Sequence, residues 1–500
     1  MLVSSCLSQP HVVWEATWEY LTEDVLYKKR RETGRLDMNL TIEQIKNISL
    51  TEIENHLLSN GRSLKKWKLM PKPEDFGCYN GNRLIDDELK YVVEDQLKEN
   101  ETLMAMITDE QRRVYNQISD AVLNDSGGVF FLYGYGGTGK TFVYKALSSA
   151  IRSRGMIVLN TASSGIAALL LEGGRTAHFR FGIPIDIDEF STCKKMEPGS
   201  DHAELVKAAK LIVWDEAPMM SRHCFETLDC SMRDIIRSSE DKPFGGKVVV
   251  FGGDFRQILP VIPGGDRAET VLAALNSSYH WEHCKVLKLT KNMRLLAGLT
   301  DDATKELESF SKWILDIGDG KINLHNDDQV EIDIPSDLLI TNSGEDPIQT
   351  IAKELPGEKK VYLSSDNIIP SDVDIKENVV YPTEFLNSVK IDGLPRHCLK
   401  LNGGAPILCL CNMDVTDGLC NGTRLIVTQL LPHVIQGRII TGNDISGESV
   451  WIPRMFVTPP DTKFPFKMRR KQFPFTLAFA MTINKSQGQT LEMSVCFYLD

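Results

Sequence analysis

The chain has 500 residues, a net charge of −12, and 42% hydrophobic and 25% charged content. That length implies about two to four domains with a sizeable core. The acidic balance, with a pI near 5.5, excludes binding to nucleic acid by bulk charge, so any such contact has to be a local groove.

No stretch reaches the roughly 18 apolar residues of a membrane span, and the N-terminus lacks a signal peptide's basic start and unbroken apolar run. Eleven cysteines without a C-x-x-C pair suggest neither a disulfide framework nor a zinc ribbon, and a reducing intracellular compartment is expected. His280, His283 and Cys284 lie close in sequence without a second ligand pair at a familiar spacing, and read as core or surface residues.

Residues 1–105 read as a mainly helical region, with apolar residues three and four apart in TIEQIKNISLTEIENHLL. The run Lys28-Lys29-Arg30-Arg31 is a solvated face, a phosphate contact or a nuclear signal. Pro71, Pro73 and the stretch Gly77 to Gly81 break the helical pattern before it resumes toward Thr108.

Between Val129 and about Thr290 the pattern becomes VFFLY, MIVLNTA, LIVWDEA, KVVVFGGD and VLKLT. Such uninterrupted apolar runs, alternating with helical segments, belong to strands buried on both faces of a parallel sheet. The expected first domain, 106–295, is therefore a doubly wound α/β fold with its ligand at the carboxyl ends of the strands. A helical connector, 296–335, follows.

Residues 336–500 are expected to form a second α/β domain. A small β-barrel is inserted at about 405–460, and the run FPFTLAFAMTI returns to the α/β style. The basic run from Lys463 to Lys471 could touch phosphates.

The segment 134–141, GYGGTGKT, follows an apolar strand and opens a helix. This is the P-loop order. Gly134, Gly136, Gly137, Thr138 and Gly139 let backbone N–H groups wrap phosphates, Lys140 reaches the β and γ phosphates of ATP, and the Thr141 hydroxyl holds Mg²⁺. LIVWDEAPM then delivers Asp215, to hold Mg²⁺ through water, and Glu216, to orient an attacking water as general base. P-loop kinases do not need the second acid, so Glu216 favours hydrolysis. The cluster Asp254, Arg256 and Gln257 ends a third strand, where Gln257 is either a γ-phosphate sensor or part of a polar turn capped by Gly252 and Gly253.

Together these motifs resemble the petite-integration-frequency (PIF-type) family of superfamily-one DNA helicases, in particular its plant and Helitron-like branch, from about Val13 onward. The resemblance implies two RecA-like parallel-sheet domains and ATP-driven 5′ to 3′ movement on single-stranded DNA with duplex unwinding. In the family this serves repair, recombination and telomere maintenance, in a nuclear location. TDEQRRVYNQI resembles the adenine-reading motif, with Gln111 as reader. TASSGIAALLL and GGRTAH resemble DNA-gripping motifs, through Thr161, Ser163, Ser164 and His178. The resemblance makes Gln257 a coupling residue and assigns Arg294 of LTKNMR to the γ-phosphate. MTINKSQGQTL places Thr482, Lys485, Ser486 and Gln487 near DNA and nucleotide. No protein partner is implied.

Three departures from the family pattern carry expectations of their own. Phe179 stands where a serine usually follows the motif histidine, which weakens one DNA contact. The passage from EDPIQTIAKE to LPGEKKVYLSSD lacks about thirty residues of a βα unit, leaving a gap in the second sheet. The chain also stops at Asp500, before the family's final motif and its arginine finger. Such fingers contribute about 10³ to 10⁵ in rate, so nucleotide binding is expected to persist while hydrolysis and unwinding fall. The rival reading is a catalytically impaired fragment that binds nucleotide, and possibly DNA, without unwinding.

Overall fold

The five apolar runs of the first domain become five strands of one six-stranded sheet. In this computed structural model the described residues are 9–22, 40–59, 62–73, 82–236, 242–262, 264–293, 301–321, 359–369, 382–391, 393–414, 417–441, 447–458, 467–479 and 486–487. The chain divides into one unit spanning Gly81–Ile351 and a second combining Met1–Asn80 with Ala352–Asp500.

In the Gly81–Ile351 unit the strands are β1 (Gly128–Tyr133), β2 (Val158–Ala162), β3 (Arg175–Thr176), β4 (Leu211–Asp215), β5 (Val248–Gly253) and β6 (Cys284–Lys288), in the order β3-β2-β4-β5-β1-β6. Every pairing is parallel. Alternation along the strands builds two cores. Val129 and Phe131 of β1, Ile212 and Trp214 of β4, and Val249 and Phe251 of β5 face one layer. Phe130, Leu132, Leu211, Val213, Val248 and Val250 face the other. Both faces are dry, so polar interruptions within the strands would each bury an unpaired group. The first layer centres on Trp214, whose ring lies 4.6 Å from that of Phe225 and 6.1 Å from those of Phe181 and Phe251.

Two helices that precede the boundary expected at residue 105 group with the sheet. Helices α1 (Arg83–Leu89) and α2 (Val93–Met106) belong to the same unit as the sheet. Glu88 on α1 pairs with Arg180 at 2.7 Å, and Arg152 pairs with Glu172 at 2.8 Å. Asn100 on α2 donates to the Ala146 carbonyl at 2.9 Å. Glu88 and Arg180 are largely buried, and removing α1 would leave Arg180 without its carboxylate partner. The connector contributes α3 (Asp301–Gly318), whose C-terminal end meets Arg256 through Asp319 at 2.6 Å.

In the other unit, the N-terminal residues form helices Pro10–Leu21 and Ile42–Ser59 around Trp14, Leu50, Leu57, Leu64 and Met70. Buried Glu54 accepts from the Ser63 hydroxyl at 2.7 Å and the Leu64 N–H at 2.6 Å, closing the turn behind the second helix.

The strands at 360–477 are antiparallel wherever they pair, among the described residues. They are β7 (Lys360–Leu363), β8 (Ser365–Ile369), β9 (Cys398–Leu401), β10 (Pro406–Cys409), β11 (Arg424–Leu430), β12 (Val434–Ile439), β13 (Ser449–Pro453), β14 (Met455–Val457), β15 (Lys467–Gln472) and β16 (Phe475–Leu477). They make a five-stranded sheet β13-β12-β11-β10-β16, a three-stranded sheet β14-β15-β8 and the pair β7-β9.

Two expectations change here. The run FPFTLAFAMTI does not return to a parallel sheet in its described part, because β16 pairs antiparallel with β10. The insertion is an open sheet among the described residues, with β13 and β16 at its edges. The segment about the missing βα unit lies outside the described residues.

The basic run is also corrected at one position. Arg470 is 1% exposed and holds Asp366 with two bonds, at 2.7 and 2.9 Å. It also donates to the carbonyls of Leu386 and Pro395, each at 2.9 Å. The period-2 alternation of a strand turns it inward between Arg469 and Lys471. Arg470→Ala leaves the Asp366 carboxylate buried without its partner and is expected to cost about 3–5 kcal/mol. Asp366→Leu combined with Arg470→Met should recover most of that. Urea denaturation checks both, and equal losses in the single and double variants would contradict the assignment.

Candidate nucleotide-binding site

The P-loop leaves the carboxyl end of β1, which lies between β5 and β6 in the sheet. It turns through left-handed backbone at Gly137 (φ 93°) and Gly139 (φ 83°) and enters α4 (Lys140–Arg152). The thirteen-residue helix presents its unpaired N–H groups and positive dipole end to the loop, as an anion requires. Lys140 is 9% exposed and its ammonium donates to the Gly134 carbonyl at 2.6 Å. Thr138 ties the loop to itself, its hydroxyl donating to the Tyr135 carbonyl at 2.9 Å. Thr141, one residue into the helix from Lys140, is half-buried.

Asp215 ends β4, one strand beyond β5 from the loop, and is 4% exposed. Its Oδ1 is buried beside the equally buried hydroxyl of Tyr144 on α4, and neither atom meets full hydrogen-bond geometry with any other group among the described residues. Burial pushes the Asp215 carboxyl up, against the opposing pull of Lys140, the Glu216 N–H and Tyr144. Burial likewise raises the Tyr144 phenol well above its usual range, with the charges of Asp215 and Glu216 adding to the effect.

The two groups approach across Gly252 of β5. A Cβ there would lie 1.6 Å from the Tyr144 oxygen and 3.4 Å from Asp215 Oδ1. The double glycine in VVVFGGD therefore makes room between the loop strand and the acid strand. Glu216 follows with φ 53° and ψ 36°, a left-handed conformation for a side chain that disfavours it. Strain of this kind, about 1–3 kcal/mol, concentrates at functional sites.

Gln111 lies against the loop. Helix α5 (Asp109–Leu123) opens with a capping box, in which the Thr108 hydroxyl takes the Gln111 N–H and Gln111 Oε1 takes the Thr108 N–H at 3.2 Å. The Nε2 of Gln111 donates to the Thr138 carbonyl at 3.3 Å and would strike any Cβ at Gly139. Gln111 is 2% exposed, so reading an adenine would require it to give up these bonds.

Its neighbour Glu110 has a role that motif reading missed. The Glu110 carboxylate accepts the Thr290 N–H at 3.0 Å, the Thr290 hydroxyl at 2.9 Å and the Lys291 N–H at 3.3 Å. Burial works to raise its pKa, but these bonds outweigh it and hold the carboxyl below the usual range. Tyr135 donates to the Thr290 carbonyl at 2.8 Å, and the Met293 N–H donates to the Gly137 carbonyl at 2.8 Å. The LTKNM segment is thus fastened to the P-loop from two sides. Arg294 itself lies outside the described residues.

Arg256 is held by Asp319 and its backbone N–H donates to Asp254 at 3.1 Å, while the Gln257 N–H donates to the Asp254 carbonyl at 3.1 Å. The segment therefore anchors α3 as well as shaping a turn beside the site.

Among the expected DNA-gripping residues, Thr161 lies inside the sheet. It is fully buried, and its hydroxyl donates to the Val213 carbonyl at 2.7 Å, stapling β2 to β4. Ser163 and Ser164 are half-buried. The Ser163 N–H donates to the Asp215 carbonyl at 3.1 Å, and its hydroxyl accepts from the Trp214 indole at 3.0 Å. Ser164 caps a short helix by accepting the Ala167 N–H.

His178 sits on the next short helix, Ala177–Phe181, and burial lowers its pKa. The departure at Phe179 has a structural partner: Lys195 lies 4.1 Å over its ring and donates to its carbonyl at 2.9 Å. Ser486 and Gln487 are described as a short isolated segment, and Thr482 and Lys485 lie outside the described residues, as does the run Lys28 to Arg31. His280 packs on Phe244 and faces Asp229 at 3.6 Å. No group of three metal-ligating side chains occurs among the described residues, and no described helix is long and apolar enough to cross a membrane.

Glu110→Gln removes the charge that three donors share. Hydrogen bonds to charged groups contribute about 1.5–3 kcal/mol, so amide exchange at Thr290, Lys291 and Met293 is expected to quicken by roughly tenfold or more. Unchanged protection there would show that the carboxylate does not hold the segment.

The family pattern described as PIF1-like helicase matches residues 106–328, and that of the DNA helicase Pif1 2B domain matches residues 384–430. The chain is 28% identical over 406 residues to the ATP-dependent DNA helicase PIF1 of Danio rerio, covering 74% of this chain and 55% of that protein. It is 26% identical over 383 residues to the ATP-dependent DNA helicase Pif1 of Bdellovibrio bacteriovorus, covering 76% and 80%. The chain spans about half the length of the vertebrate relatives it matches. Among solved structures, the Pif1 helicase from Bacteroides in complex with ADP-AlF3 and ssDNA aligns with a TM-score of 0.51 at 25% identity, over 77% of this chain and 85% of that one. With the P-loop, the acid strand and the segments fastened to them in place, the chain belongs to the PIF1-like helicase family.

Proposed function

We propose that this chain is the motor of an ATP-dependent DNA helicase that moves 5′ to 3′ on single-stranded DNA and separates duplex ahead of it. The observation that carries the reading is the placement of buried Asp215 and strained Glu216 at the strand end facing Lys140, in a chain of this family.

The residues fit a nucleotide with its magnesium ion. Asp215 offers a buried oxygen beside the Tyr144 hydroxyl, and burial opposes its ionisation, an environment that a cation relieves. Thr141 would hold Mg²⁺ directly and Asp215 through water. The ion neutralises charge on the β and γ phosphates when bound.

Lys140 exchanges its bond to Gly134 for the phosphates. Glu216 orients a water for in-line attack on the γ-phosphorus and takes its proton, as the bond to the β-γ bridging oxygen breaks to leave ADP and phosphate. Gln257 and Arg294 sense the γ-phosphate. Gln111 braces the loop and meets the base only if its bonds are exchanged.

Ser163, Ser164 and His178, with Lys485, Ser486, Gln487 and Thr482, would grip the strand. Ser163 is bonded to the backbone of Asp215 itself, so a shift at the acid is felt directly at the grip. Contacts of this kind are mainly to phosphates and depend on salt more than on sequence. Work on chromosomal DNA in repair, recombination or telomere maintenance follows from the family reading, with a nuclear location in a eukaryotic cell.

Strand separation on 5′-tailed and 3′-tailed partial duplexes, run beside ATP hydrolysis with and without single-stranded DNA, tests the proposal. The expected result is hydrolysis stimulated by DNA and separation of the 5′-tailed substrate alone. Lys140→Ala should lower hydrolysis by about 10²-fold or more, the scale of losing one key electrostatic donor, and should abolish separation. Nucleotide binding without separation would favour the impaired-fragment reading. Hydrolysis indifferent to DNA would overturn the helicase.

A further inference from the structure

The basic run that opens at Lys463 splits across the two faces of β15. Met468, Arg470 and Gln472 point inward, Met468 into a small core with Leu386, Val389, Leu394 and Val457. Arg469 and Lys471 point outward and are exposed. Register with β14 sets Phe456 opposite Lys471, and register with β8 sets Asn367 opposite Arg469 and Ser365 opposite Lys471.

Phe456 is 44% exposed, with the Arg469 guanidinium 4.6 Å and the Lys471 ammonium 5.5 Å from its ring centre. The only carboxylate in the three strands is Asp366, which faces inward and is taken up by Arg470. In a chain of net charge −12, this leaves an outward sheet face to which the three strands contribute an aromatic ring, two cations, two small polar side chains and no acid. Packing does not require it, because the core lies on the opposite side.

We propose that the outward face of the β14-β15-β8 sheet is a further contact for single-stranded DNA, with Arg469 and Lys471 on phosphates and a base stacked against the Phe456–Arg469 pair. Charge complementarity selects an anionic partner. A flat π surface flanked by cations favours stacked bases over the carboxylates of an acidic peptide. The assignment rests on the helicase reading and adds to the grip proposed at Ser163, Ser164 and His178.

The test is fluorescence anisotropy of labelled oligothymidine with the full chain at several salt concentrations. Arg469→Gln combined with Lys471→Gln is expected to weaken binding and to lower the salt slope by about 1.4, two released counterions at about 0.7 each on single strands. Phe456→Ala should weaken binding about fivefold or more with the slope unchanged. Hydrolysis without DNA and the thermal midpoint should match the unsubstituted chain in both variants, since these side chains point outward and pack into no core among the described residues.

Affinity and slope equal to those of the unsubstituted chain would overturn this inference and leave the helicase reading standing. Failure of the unsubstituted chain to bind oligothymidine at all would overturn both. Polyglutamate displacing the oligonucleotide as effectively at equal charge, and losing that ability in the Arg469/Lys471 variant, would assign the face to an acidic protein instead.

Discussion

A carboxylate kept from water at Asp215 sets conditions on everything around it. Buried in the sheet, it is opposed by desolvation and relieved by Lys140, by the backbone of Glu216 and by Tyr144. Those groups come from the P-loop helix, the strand end and the turn beyond it, so the acid can be accommodated only if β1, β4 and β5 hold their order and register. The intervening strand has to surrender a side chain for Tyr144 to reach it, which is the physical content of Gly252. Two dry cores on either side of the sheet provide the rigidity this demands.

Around that centre, short bonds join segments that are far apart in sequence. Glu110 binds the backbone of Thr290 and Lys291, Met293 returns to Gly137, and Ser163 binds the carbonyl of Asp215. Each links an element expected to meet nucleotide or DNA to the loop or to the acid strand. These are packed, hydrogen-bonded neighbours and need no long pathway between them. The aromatic cluster about Trp214 continues the contact, because the indole that fills the core also donates to Ser163.

Much of this architecture was legible in the sequence. VFFLY, LIVWDEA and KVVVFGGD read as doubly buried strands because a strand with two dry faces has no solvent side to record. The glycine-rich turn between β1 and its helix and the acid closing β4 were legible as elements of the fold, because each interrupts an apolar strand at its carboxyl end. What stayed hidden depends on partners that spacing does not reveal. TIEQ at 41–44 and TDEQ at 108–111 both carry the T-x-x-Q capping signature, and both close capping boxes. That signal could have identified Gln111 as a structural brace. Thr161 belongs to a motif that the resemblance gives to DNA, yet its hydroxyl is taken by the Val213 carbonyl. Arg470 sits in a basic run and is one of the most buried charges in the chain, since period-2 alternation decides its face and composition does not. The packing of residues 83–106 on the sheet was not legible either, because Glu88 and Asn100 find their partners across more than forty residues.

Gly252 is the space through which the acid strand and the P-loop helix meet. Gly252→Ala places a methyl group against the rigid, fully buried Tyr144, and overpacking of this kind costs about 1–3 kcal/mol. Titration of a fluorescent ATP analogue with and without magnesium, on chain shown to be folded by its thermal transition, reads the consequence at the site. The expected result is a variant that still folds but loses most of the magnesium-dependent gain in nucleotide affinity. Unaltered magnesium-dependent binding in Gly252→Ala would contradict it.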